Sequence, residues 1–163
     1  FIMLSLCAQS QTTKKILLDQ LKSTHTVKNW FVPVNIALEG LTAEQAKWTD
    51  GSGNHSAGQL AYHLWFWNMR QLNDFKGIKN DAFSGNNEET FSKFNQQELN
   101  VVIKRLDEVL TELEKLVENA TDKQLNEWAP TIANINAHNA YHTGQIIFVR
   151  KLHGSWDPEK GVK

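Results

Sequence analysis

The sequence predicts an all-α protein: a four-helix bundle with a long crossover between its second and third helices. Three observations predict it. No segment alternates apolar and polar residues with period two for long enough to make a strand. Four segments instead carry apolar residues at spacings of three and four, the signature of amphipathic helices. The link between the second and third of them, Gly77 to Phe94, is polar and rich in Gly, Asn and Asp. A link that long lets the chain travel the length of a bundle, so neighbouring helices need not run simply up and down.

The first helix is expected from about Thr13 to Glu39, with Leu17, Leu18, Leu21, Val27, Phe31, Val34 and Leu38 towards the core. Pro33 should bend it, because proline lacks the backbone donor and clashes with the preceding turn. Gly40 supplies a stop. The second helix opens on Ser56-Ala57-Gly58-Gln59 and ends near Lys76-Gly77. Its opening is a capping box, in which hydroxyl and carboxamide satisfy backbone donors reciprocally. The third starts at Asn95, with Glu98 in the box position, and carries Val102, Leu106, Val109, Leu110, Leu113 and Val117. The fourth follows Pro130 and ends at His153-Gly154, where Arg150, Lys151 and His153 complement the helix dipole.

With 163 residues the chain suits one domain, expected over residues 11–163. At 40% hydrophobic and 21% charged it has a globular composition. Its net charge of −1 argues against nucleic acid, which would draw a basic excess. A single Cys excludes a disulfide framework and Cys-rich zinc modules. The apolar run Phe1–Ala8 is too short to span a bilayer. With Ala8-Gln9-Ser10 as a small-x-small cleavage pattern, residues 1–10 read as a truncated signal remnant, which points to export to a periplasm. Without a signal the chain would be cytoplasmic.

The two halves echo each other. Thr42-x-x-Gln45 and Thr121-x-x-Gln124 are both capping-box patterns, and the same offset takes Ala61-Tyr62-His63 to Ala140-Tyr141-His142. Two helical hairpins, each bringing one His to a common place, would produce this pattern. His138 and His142, four residues apart on one helix, project from one face. His63 lies among Leu60, Leu64 and Trp67, where an unpaired imidazole would be costly. Three histidines from two helices make the nitrogen set of a catalytic metal site with a fourth position open. Each alone could equally be a hydrogen-bonded core histidine. Residue 139 is Asn, so the pair is not the His-Glu-x-x-His of a zinc protease. Gln145 continues the histidine face and could bond to a ligand or orient water; Gln59 takes the place in the first half that His138 holds in the second, which puts it beside the metal. His25, His55 and His153 read as surface residues, and Tyr62 and Tyr141 as packing between helices.

These motifs (Gly40-Leu41-Thr42-x-x-Gln45, His55-Ser56 through His63, and His138-x3-His142-x2-Gln145) resemble those of the DinB-like, or YfiT-like, proteins. Asn87-Glu88-Glu89-Thr90-Phe91 and Gly154-Ser155-Trp156-Asp157-Pro158 resemble one bacterial branch of that family. The resemblance covers nearly the whole chain after residue 10. It implies a four-helix bundle with a crossover, one divalent metal ion (zinc or nickel) on His63, His138 and His142, and a homodimer. Some relatives transfer low-molecular-weight thiols and others are called metal-dependent hydrolases. An exported chain would be parted from a cytoplasmic thiol pool.

The function expected is therefore a divalent-metal-dependent hydrolase or small-molecule transferase. The alternative is a non-catalytic metal-binding bundle of the stress response. A haem bundle ranks below both, since Cys-x-x-Cys-His is absent.

Overall fold

The computed structural model describes residues 2–161, with side chains from residue 12 onwards. The expected signal remnant at 1–10 lies outside the residues whose side chains are described. Seven α-helices follow in order: α1 Ile2–His25, α2 Val34–Leu38, α3 Ala43–Lys47, α4 Ala57–Lys76, α5 Glu89–Ser92, α6 Leu99–Asn119 and α7 Asp122–His153. Two 3₁₀ turns lie at Gln96–Glu98 and Pro158–Lys160. The described residues contain no strand, and none of their helices is long and apolar enough to cross a membrane.

The four long helices, α1, α4, α6 and α7, form a ring. Both α1 and α4 pack against α6 and α7. Although only Ala120 and Thr121 separate α6 from α7, the two pack mainly on other helices. The core is apolar and continuous, with Leu21, Leu64, Leu106, Leu110, Leu113, Leu125, Ile132 and Ile146 among its fully buried members.

Several helix boundaries differ from the periodicity, the start of α1 at Ile2 instead of near Thr13 among them. The first helix stops at His25 instead of running to Glu39. Thr24 turns its hydroxyl back onto the Leu21 carbonyl, and the amides of Thr26 and Val27 both close on the Lys22 carbonyl. A side chain that competes for backbone carbonyls favours such an ending. Pro33 then stands as the N-cap of α2, outside any helix, where its missing donor costs nothing. Val27 and Phe31, expected in the core, are exposed as a result; Val32 is buried in their place, and Val34 is buried as expected.

The last helix begins eight residues before Pro130. Thr121 and Gln124 form a complete capping box that starts all of α7, and Pro130 sits inside it. The carbonyl a proline orphans lies four residues back; here that residue, Asn126, is exposed, so water can satisfy it. Asn95 caps the 3₁₀ turn, accepting from the Gln97 amide, and α6 starts only at Leu99. Glu98 makes no capping bond.

Two charged side chains do work that the sequence did not announce. Arg150 is buried, not a surface partner of the α7 dipole. Its guanidinium donates to the carbonyls of Ala37 (2.6 Å), Glu39 (3.1 Å) and Ser155 (3.0 Å), tying α2 and the C-terminal tail to α7. His25, expected at the surface without a partner, is 2% exposed. Its Nδ1 meets Glu114 at 2.7 Å and its Nε2 meets Asp107 at 2.9 Å, both on α6. Tyr141 departs the other way: it is 64% exposed rather than packed between helices.

Gly58, in the first turn of α4, is packed closely by Phe94 and the chain at Ala46. A Cβ there would stand 2.2 Å from Cζ of Phe94 and 2.9 Å from the Ala46 carbonyl oxygen. Gly58→Ala should therefore cost about 2 kcal/mol, despite alanine's better helix propensity. A urea midpoint equal to wild type would refute this close contact.

Candidate metal centre

α4 delivers His63, and α7 delivers His138 and His142 from one face. The three can each offer one ring nitrogen such that all lie within 4.8 Å of one another. The Nε2 atoms of His63 and His138 are 3.1 Å apart. His63 and His142 are buried and His138 is half-buried.

Hydrogen bonds on the outer nitrogens decide where the ring protons sit. The Thr90 hydroxyl donates its only proton to the Asn87 carbonyl at 2.6 Å. Its oxygen must then accept from Nδ1–H of His63, also at 2.6 Å. That leaves the His63 Nε2 lone pair facing the cluster. In the same way Nδ1 of His142 donates to Oε1 of Gln145 at 2.6 Å, freeing its Nε2. Outer hydrogen bonds of this kind orient ligand imidazoles and raise their basicity.

All three imidazoles are held neutral. Burial, followed by the nearby His142, His138 and His55, pushes His63 down to about 3. Burial, with His142 beside it, lowers His138 to about 4. Burial also lowers His142, against the opposing bond to Gln145. Neutral imidazole is the metal-binding form.

This donor set fits a divalent metal ion. Two nitrogens 3.1 Å apart need a proton or a cation between them, since facing lone pairs repel. Tetrahedral zinc with Zn–N bonds of about 2.05 Å separates its ligand nitrogens by about 3.3 Å, close to the 3.1 Å between His63 and His138.

The crossover contributes most of what the sequence reading missed. It carries α5, whose Thr90 supports His63 and whose Phe91 stacks flat on the same ring at 4.1 Å. His55, expected at the surface, is half-buried and stacks on the other face of Phe91 at 3.7 Å. The trace of this in the sequence is the stretch Asn87-Glu88-Glu89-Thr90-Phe91, where a threonine stands beside an aromatic residue. A reciprocal carboxamide pair, Asn68 on α4 and Asn139 on α7, joins the two helices that carry the clustered histidines, next to His138.

Gln145 lies at the cluster as an acceptor for His142. Gln59 is not brought to it. Its Oε1 accepts from the Ser56 amide in the α4 capping box, and it borders a separate concavity with Lys47 and Phe94. The box consumes the carboxamide that the half-to-half comparison had assigned to the metal.

The histidines line a cavity of about 530 Å³ that opens between α4, α7 and the crossover. Trp67 and Phe91 form its aromatic wall. If the outer bond to Thr90 orients His63, Thr90→Val should weaken metal binding about 10- to 100-fold while helicity is retained. Competition with a chromogenic chelator measures this, and an unchanged affinity would show that the bond is incidental.

No curated protein and no solved structure matches the chain significantly. The DinB superfamily model matches residues 34–146, a span that contains all three clustered histidines and the supporting Thr90. With a match over more than half of its length, and an all-helical fold, the chain belongs to the DinB superfamily.

Proposed function

We propose that the protein is a divalent-metal-dependent enzyme, a hydrolase or small-molecule transferase, with His63, His138 and His142 as the metal ligands. The observation that supports this reading is that three neutral imidazoles converge on one point in the wall of a cavity large enough for a small molecule. A structural site would be closed by a fourth side chain. Among the described residues no other His, Cys, Asp or Glu joins the group. Zinc or nickel bound there would supply a water or thiol ionised near neutral pH.

The chain's own residues then have separable roles. Thr90 and Gln145 hold the Nδ1 protons of His63 and His142, so that Nε2 is the binding atom. Phe91 and Trp67 shield the rings from water on the crossover side and present a flat apolar surface to a substrate. The Asn68–Asn139 pair fixes the spacing of the two ligand helices. No carboxylate lines the cavity to serve as a general base, so proton transfer would fall to the nucleophile's own ionisation and to solvent.

Assays of the zinc- and nickel-loaded chain against activated esters, and of thiol transfer to an electrophile, test this reading. Turnover that needs metal and vanishes in His138→Ala supports it. Turnover without metal, or a fully loaded protein inert in both assays, overturns it; the second result would favour a non-catalytic metal-binding bundle.

A further inference from the structure

The cavity beside the histidines is lined mainly by apolar surface, and the polar side chains among its walls carry no charge. No Lys, Arg, Asp or Glu lines it, although such residues make up 21% of the chain. The cavity beside His25 shows the contrast, since Glu39, Lys104 and Asp107 line it. Apart from the three histidines, hydrogen bonding in the candidate site falls to uncharged groups. Asn68 is already committed, to Asn139 and to the Leu64 carbonyl. The side-chain groups of Gln71, Asn87, Thr131 and Asn134 make no hydrogen bond to another described residue. They face the cavity together with the rings of Trp67 and Phe91.

From this wall we infer that the site takes an uncharged organic substrate, one with amide or hydroxyl groups and an apolar or aromatic portion. This inference rests on the metal reading above and adds the chemistry of the remainder of the ligand. One donor atom of the substrate would go to the metal. Its amide or hydroxyl groups would pair with Gln71, Asn87, Thr131 and Asn134, each of which can both donate and accept. Its apolar portion would lie along Trp67 and Phe91. A second charge on the ligand, away from the metal, would find no counter-ion on this wall, and drawing a charge out of water without a partner is costly. Carboxylate-bearing thiols, with several such charges, are therefore poor candidates for this pocket.

The test uses the full chain loaded with zinc and two probes that share one metal-binding head: benzohydroxamate and 4-carboxybenzohydroxamate. They differ by one distal carboxylate. Metal analysis comes first, because it tests the metal reading by itself. If the chain will not load zinc, that reading falls and this inference falls with it. With zinc loaded, calorimetry should show benzohydroxamate binding at least about tenfold tighter than its carboxylated partner. Gln71→Lys should reduce or reverse that preference by placing a cation on the wall. Equal binding, tighter binding of the carboxylated probe, or binding of neither probe to the zinc-loaded chain would overturn the uncharged-substrate assignment while leaving the metal site standing.

Discussion

A zinc titration of the metal-free protein should end at about one equivalent per chain, and His142→Ala should bind zinc about 100-fold more weakly. The surroundings of the His142 ring support this expectation: Nδ1 is engaged by Gln145, and its centroid lies 4.5 Å from those of His63 and His138. Dividing an affinity of roughly 10 kcal/mol over three ligands assigns about 3 kcal/mol to each, or about two orders of magnitude in Kd. Linkage supplies an independent readout. At free zinc about 100 times Kd, the wild-type fold should gain about 2.7 kcal/mol, which for a chain of this size raises Tm by roughly 5 °C or more. His142→Ala should keep its helicity and show no such rise. A mutant that still binds one equivalent with wild-type affinity would remove His142 from the site.

Removing His25 should produce the largest pH-dependent loss of stability in the molecule. His25→Ala should cost about 1–2 kcal/mol at pH 6, chiefly because it leaves the largely buried Glu114 carboxylate without its partner; Asp107, mostly exposed, is screened by water and adds little. Burial lowers the His25 pKa, but the hydrogen bonds to Glu114 and Asp107, with the charges of both, outweigh it and hold the net pKa above 6.5. A base with a raised folded-state pKa stabilises fully below its unfolded value of 6.5. That contribution fades as pH rises through the folded-state pKa. The deficit of His25→Ala relative to wild type should thus be greatest at pH 6 and smaller at pH 9. Denaturant melts of both metal-free proteins across this range read the difference. The metal-site histidines have lowered pKa values and act in the opposite sense, weakening the fold as pH drops below 6.5, but they are common to both proteins and cancel. A deficit that grew with pH would show that His25 is buried in its neutral form.

Much of the architecture was legible because helix signals are local. Ser56-x-x-Gln59 and Thr121-x-x-Gln124 form the capping boxes their spacing announces, and the stripe from Val102 to Val117 is buried throughout. The boundaries that misled are those where local signals compete. Pro33 can bend a helix or begin one, and Thr24 resolves the choice by closing α1 on itself. Pro130 can begin a helix or be carried within one, and the stronger Thr121 box decides for the second.

The pairing of His138 with His142 was determined by sequence alone, since a four-residue offset on any α-helix stacks two side chains on one face. Membership of His63 was suggested by its echo of His142. The path of the chain around the ring of helices decided everything else about the site. Only the crossover's return brings Thr90 to Nδ1 of His63 and inserts Phe91 between His63 and His55. Likewise only the packing of α1 on α6 turns His25 from an apparent bystander into a buried partner of two carboxylates. A sequence records which groups share a helix face, because that depends on a few neighbouring residues. Which faces meet depends on the summed packing of the whole core, and it is there that the cavity lost its charges and the clustered histidines gained their supports.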